Sequence, residues 1–138
     1  MTNYWLIKSE PSAFSWQEQL RNKIEPWTGV RNHQAKKNLQ LMKKNDLAFF
    51  YHSNEGKEIV GIVRIEKEAY PDPTDTEHKW FCVDVETICS VPIPITLKKI
   101  KSIPELEDIA LIKQSRLSVM PISSEHWQIL CELGNVKL

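Results

Sequence analysis

Glycine is scarce, with only 4 in 138 residues, and no Gly-rich loop of the Walker or dinucleotide type occurs, so a backbone cradle for phosphates is excluded. Three cysteines, Cys82, Cys89 and Cys131, make an odd and widely spaced set, which fits reduced thiols rather than a disulfide framework or a zinc module. His33, His52, His78 and His126 are scattered without helix spacing, so the reading includes no metal and no cofactor. The longest uninterrupted apolar run, Leu47 to Tyr51, is far short of the ~20 residues of a spanning helix. No membrane partner is expected. The start, reaching Lys8 and Glu10 before any apolar run, does not read as a secretory signal, and the expectation is a cytoplasmic protein.

Net charge is also absent, with 18 basic against 18 acidic side chains, which argues against coating nucleic acid by bulk attraction. The distribution is uneven: residues 1–69 hold eleven Lys/Arg against eight Asp/Glu. Arg31, Lys36, Lys37, Lys43 and Lys44 cluster against Asp46 alone, the footprint of a site that meets an anion at one place. At 16.1 kDa, without repeats or a long linker, residues 1–138 read as a single domain.

Tyr4–Lys8 reads as a strand stopped by Pro11, and Ser15 with Glu18 has capping-box spacing for a short helix. Asn32 is placed to cap a second helix whose Ala35, Leu39 and Met42 share one face, which leaves the lysines facing water. Asp46–His52 and Glu58–Glu66 read as a hairpin pair of strands. Alternation along Lys79–Ile88 puts Trp80 off the core face. Tyr70–Glu77 reads as a surface loop, Val91–Ile95 as extended chain, Ser102 with Glu105 as the start of a short helix, and Ser115–Val119 as a short strand. A terminal helix from Ser123 or Ser124 carries Trp127, Leu130 and Leu133 and stops at Gly134. Strands and helices mix without regular alternation, which favours an α+β sheet or partly closed barrel with helices around it.

Five tryptophans in so short a chain are unusual, and Trp5, Trp16, Trp27 and Trp80 adjoin polar segments. A tryptophan at a wet edge can stack a flat ligand, and core packing is the alternative. Trp27 stands out, since Pro26-Trp27-Thr28-Gly29 breaks the pattern where a loop feeds the basic helix. Arg31 and Asn32 at that helix entry suit an anion, or are a solvated charge and a cap. Ser9, Tyr51, His52 and Ser53 are strand-end polar groups able to bond a base edge, although His52 can equally be a satisfied strand-end residue.

Taken in order, Tyr4-Trp5-Leu6-Ile7-Lys8-Ser9-Glu10-Pro11, Trp27-Thr28-Gly29-Val30-Arg31-Asn32, Phe49-Phe50-Tyr51-His52-Ser53, Gly61-Ile62-Val63, Tyr70-Pro71-Asp72-Pro73 and Ser115-Arg116-Leu117-Ser118-Val119 closely resemble the EVE domain family over nearly the whole chain. The resemblance implies a PUA-like pseudobarrel, mixed and mainly antiparallel, related to YTH and ASCH domains. It also implies binding of a modified base of DNA or RNA in a pocket. The implied pocket takes in Lys8, Ser9 and Glu10, Trp27 as a stacking wall, Val30, Arg31 and Asn32, and the strand end Tyr51, His52 and Ser53, closed by Tyr70, Asp72, Arg116 and Ser118. Trp80 is a further candidate, for the opposite wall. Where the family usually has Gly-Asp before the Phe-Phe-Tyr-His strand, this chain has Asn45-Asp46, and Asn tolerates the left-handed turn.

The expectation is therefore a monomeric reader of a modified base, such as methylated or hydroxymethylated cytosine or methyladenine, with one base flipped or single-stranded and phosphates met by Arg31, Lys36, Lys37 and Lys43. The first alternative is an enzyme, or a subunit of one, acting on modified nucleotides in the same pocket, with His52 as general base and Arg116 as anion clamp. The second is a protein-interaction module using exposed tryptophans.

Overall fold

A computed structural model describes residues 2–138. Six strands form one sheet: β1 (Tyr4–Ser9), β2 (Ile24–Pro26), β3 (Leu47–His52), β4 (Glu58–Pro71), β5 (Phe81–Thr96) and β6 (Val119–Ile122), in the order β2-β5-β4-β3-β1-β6. β1 runs parallel to β3, and the other four pairings are antiparallel. Register shifts at Phe50/Tyr51 and at four points between β4 and β5 coil the long strands. The sheet does not close, and β2 and β6 remain its two edges.

Among the described residues five helices pack around it: α1 (Trp16–Asn22), α2 (His33–Leu41), α3 (Leu97–Lys101), α4 (Ala110–Lys113) and α5 (Ser124–Leu133). Their starts follow from side-chain chemistry. Ser15 and Glu18 form the expected capping box, Asn32 Oδ1 accepts from Ala35 N–H, and Ser123 caps α5. α2 buries Ala35 and Leu39 as its spacing requires, and Met42 follows them into the core. Phe49, Phe50, Leu6, Ile7, Ile62 and Ile65, all fully buried, form the centre of that core. Asn45 turns into β3 at φ 77°, as expected of the residue standing where glycine is usual.

The structure corrects several boundaries. β4 continues through Tyr70 and Pro71, so Tyr70 belongs to a strand paired with β5 and not to a surface loop. β5 runs unbroken through Val91–Ile95. The helix expected from Ser102 is replaced by a 3₁₀ turn at Pro104–Leu106, and an unexpected helix, Leu97–Lys101 capped by Thr96, precedes it. The last strand is Val119–Ile122 and contains Pro121, which an edge strand tolerates.

The tryptophans are the largest correction. All five are buried, Trp27 keeping the most surface at 7%, so no broadly exposed indole is left for an interaction module. Trp5 donates its indole N–H to Asp46, and Trp16 donates its own to Ser90. Trp80 is covered as well. It lies one residue before β5, and α2 covers it: the His33 ring stands 5.0 Å from the indole, and Lys36 Nζ lies 5.7 Å from Trp80 and 5.6 Å from Phe81. Lys36 is accordingly half-buried rather than facing water, whereas Lys37, Lys43 and Lys44 are exposed. The cysteines are free thiols, Cys82 buried and Cys89 and Cys131 half-buried. Among the described residues no helix is long and apolar enough to cross a membrane.

Candidate functional site

Because the sheet stays open, chain ends meet at its seam without a strand between them. A cavity of about 430 Å³ opens there. Pro26 at the end of β2, Lys8 and Ser9 at the end of β1, and Ser118 just before β6 line it, together with the loop Trp27–Arg31 and Phe14.

Trp27 is fixed before any ligand arrives. Its backbone N–H donates to Val83 O at 2.7 Å, and its ring meets Phe50 and Phe14 edge-on, with centroids 5.4 and 6.0 Å away. Edge-to-face packing of this kind holds a ring by its quadrupole as well as by buried area. Gly29 turns the loop at φ 85°, a conformation that L side chains rarely adopt, and donates its N–H to Asp72 Oδ2 at 2.8 Å.

Asp72 ties that loop down from the other side. Its side chain has no exposed surface, and its oxygens also accept from Arg31 Nη1 at 3.0 Å and from the Thr74 N–H and hydroxyl, both at 2.7 Å. Burial alone would raise its pKa, but the hydrogen bonds from Thr74, Gly29 and Arg31 outweigh it and hold the carboxyl at about 2. Arg31 spends further donors on Val30 O and Thr74 Oγ1, which commits most of its guanidinium to the loop.

At the strand ends, Ser9 donates its hydroxyl to Phe14 O at 2.6 Å, leaving the oxygen as an acceptor. Lys8 Nζ donates to Ser115 O at 2.9 Å, and burial lowers its pKa. Beside it Tyr51 is buried and its phenol is pushed up to about 12 by that burial. Ser53 donates its N–H to Ser9 O, joining the ends of β1 and β3.

His52 turns away from the chemistry suggested for it. Its Nε2 accepts the backbone N–H of Trp16 at 3.0 Å, so the lone pair a general base would use is occupied. Burial lowers its pKa and Glu58 opposes that shift.

Of the residues expected at the pocket, Lys8, Ser9, Trp27, Val30, Arg31 and Ser118 line one cavity. Asn32 and Arg116 line a second hollow beside it. Glu10, Tyr51, His52, Ser53, Tyr70, Asp72 and Trp80 are not among the lining residues. Tyr70 instead donates its hydroxyl to Asp84 at 2.5 Å, and its pKa is driven far up by burial and by that bond. Ala13, Phe14, Glu25, Pro26, Thr28 and Gly29 line the cavity without having been foreseen. Pro26, Thr28 and Gly29 had a signal in their pattern-breaking tetrapeptide; Phe14 had none.

The EVE domain family model matches residues 3–133. This chain belongs to the EVE domain family. A Rhodopseudomonas palustris protein solved by NMR is 51% identical, with a TM-score of 0.92 over 97% of this chain and 94% of that one. Thymocyte nuclear protein 1 from Homo sapiens is 32% identical over 96% of this EVE chain and 74% of its own length. The crystal structure of the human protein in complex with DNA containing 5-methylcytosine has a TM-score of 0.91 at 31% identity, covering 99% of this chain and 100% of that one. The fold extends to the YTH domain of a Zygosaccharomyces rouxii protein in complex with N6-methyladenosine RNA, at TM-score 0.61 and 16% identity over 96% of this chain and 86% of that one. The EVE chain thus has the PUA-like fold, a mixed six-stranded open sheet surrounded by five helices.

Proposed function

We propose that this protein is a reader of a modified base in DNA, 5-methylcytosine first among them, which it takes out of the stack and seats in the seam cavity against Trp27. The observation that carries the reading is the cavity itself: an open space beside a tryptophan held edge-on by two phenylalanines, rimmed by Ser9, Ser118 and Lys8. A human relative of the same fold is solved with DNA containing 5-methylcytosine, which favours methylated cytosine in DNA over the other modified bases.

The energetics are modest and balanced. Extruding a base costs a few kcal/mol, and stacking on one aromatic ring returns about 1–3 kcal/mol, so phosphate contacts and the base edge must supply the rest. Ser9 Oγ, already donating to Phe14, is left to accept from an exocyclic amine such as that of cytosine. A single buried methyl contributes roughly 0.8 kcal/mol, rising to about 1–3 kcal/mol in a closely fitted pocket, so preference for methylated over plain cytosine falls between a few-fold and about 200-fold. In this reading the protein is a cytoplasmic monomer whose partner is the methylated strand.

Titration of single-stranded and duplex oligonucleotides with and without 5-methylcytosine tests this, using wild type and Trp27→Ala. The expected result is a methyl preference in wild type that Trp27→Ala abolishes. Equal affinity of wild type for methylated and plain strands overturns the reading.

A further inference from the structure

A second hollow, of about 320 Å³, lies next to the seam cavity. It is lined by Asn32, Gln34, Gln114, Ser115, Arg116 and Leu117. The same two chain segments build both spaces. Along one, Arg31 faces the first cavity and Asn32 and Gln34 the second; along the other, Ser118 faces the first and Gln114–Leu117 the second. Residues adjacent in the chain, Arg31 and Asn32 on one segment and Leu117 and Ser118 on the other, thus divide the two spaces and form a wall they share.

That wall is fixed. Lys8 accounts for one side, donating its backbone N–H to Ser118 O and its ammonium to Ser115 O, both at 2.9 Å. On the other, Asn38 of α2 donates to Val119 O at 2.7 Å, fastening the helix to the start of β6. A ligand in the first cavity therefore has a preformed neighbour space at a set distance.

The lining chemistry is that of a nucleotide edge. Two glutamine amides each offer a donor and an acceptor, Arg116 offers a forked donor and makes no ion pair among the described residues, and Leu117 supplies a buried apolar floor. No carboxylate is among the lining residues, and Arg116 brings a positive charge to them. Glutamine pairs two-fold with adenine and arginine with guanine, a set that suits a purine.

We propose that this hollow seats the nucleotide adjoining the modified base on the same strand, with a purine preferred, so that the protein reads a two-nucleotide step. The proposal rests on the base-reading function above and adds a neighbour requirement to it.

The test measures affinity for a single strand carrying 5-methylcytosine, intact or with an abasic site immediately 5′ or immediately 3′ of it, and for the same strands with plain cytosine. Wild type and Gln34→Ala/Gln114→Ala are compared; both glutamines are exposed, so the fold is not at stake. Wild type is expected to lose about 10-fold when one of the two neighbours is abasic and little when the other is, in line with one good base contact. The double variant is expected to be indifferent to both abasic sites while keeping its preference for methylated over plain strands. Indifference of wild type to both abasic sites, with methyl preference retained, overturns the neighbour subsite alone. A retained neighbour effect without methyl preference overturns the base reading and leaves the subsite standing, and loss of both effects overturns both.

Discussion

Arg31 and Asp72 meet at 3.0 Å across the mouth of the loop that carries Trp27, and the carboxylate is completely shielded from solvent. Since Gly29 N–H reaches the same Oδ2, one oxygen of Asp72 sets both the turn of the loop and the direction of the arginine. Its job is positional. Asp72→Asn keeps the shape but replaces an acceptor by an amide that presents N–H groups to donors, and the expected result is a loss of about 1–3 kcal/mol measured by urea unfolding. Affinity for methylated strands is expected to fall with it, because Gly29 and Arg31, which line the cavity with Trp27, lose a tie. The pH dependence has a definite sign. A carboxyl held at about 2 in the fold and near 3.8 in the unfolded chain contributes stability that is complete above pH ~4 and is lost as pH falls through about 2. The acid limb of the unfolding curve should flatten in Asp72→Asn.

His52 gives a second pH signature, higher up. Its Nε2 accepts the Trp16 backbone N–H, so the fold favours the neutral ring, and burial lowers its pKa below the ordinary 6.5. In the unfolded chain the ring protonates first as pH drops. Stability contributed by this site is therefore full above pH ~6.5 and declines as pH falls toward the folded-state value. Thermal melts between pH 7.5 and 5 should show the decline in wild type and a weaker one in His52→Gln, whose side-chain carbonyl can accept the same N–H without titrating.

These two residues also mark where sequence reading stops. The strands β1 and β3 and the helices α2 and α5 are legible because apolar spacing and capping residues act over a few positions, as with Asn32 or Ser123. β5 is less so, because Pro92 and Pro94 look like breakers. In the fold they flank Ile93, whose N–H alone is needed, by Gly134 O, so neither proline removes a bond the structure uses. Trp80 misleads for another reason: it lies one residue before β5, where strand alternation does not govern it, and no local pattern says that α2 covers it. At the site, Trp27, Arg31 and Ser118 could be picked out in the sequence. The spending of Asp72 and Arg31 on each other, and of His52 on Trp16, could not, since a hydrogen bond across 36 or 41 residues leaves no local trace.

The cations expected to meet phosphates now differ from one another. Arg31 is engaged by Asp72, and Lys36 lies over Trp80 and Phe81, whereas Lys37 is exposed and makes no ion pair among the described residues. Each phosphate contact steepens the dependence of log affinity on log salt by about 0.9 on duplex DNA. Lys37→Ala is expected to shallow that slope by about one contact on methylated and plain DNA alike, leaving their affinity ratio unchanged. An unaltered slope would remove Lys37 from the phosphate track.

Packing links a distant glycine to the cavity. A Cβ on Gly61 would stand 2.3 Å from carbons of the Trp16 indole, so β4 carries no side chain there in order that Trp16 can lie against it. Trp16 in turn meets Phe50 at 5.1 Å, and Phe50 meets Trp27 at 5.4 Å, both edge-on. A methyl at position 61 must displace the first ring of this series, and overpacking of a core typically costs about 1–3 kcal/mol. Gly61→Ala is expected to lower the urea midpoint without changing the slope, and to weaken methyl-strand binding although position 61 lies outside the cavity. Trp16→Leu, which removes the ring the methyl would strike, separates the two effects. If contact with Trp16 is the cause, the penalty of Gly61→Ala shrinks in the Trp16→Leu background, a non-additivity of the size seen between touching residues, about 0.5–3 kcal/mol. Equal penalties in both backgrounds would instead place the cost in the strand backbone and break the proposed link to Trp27.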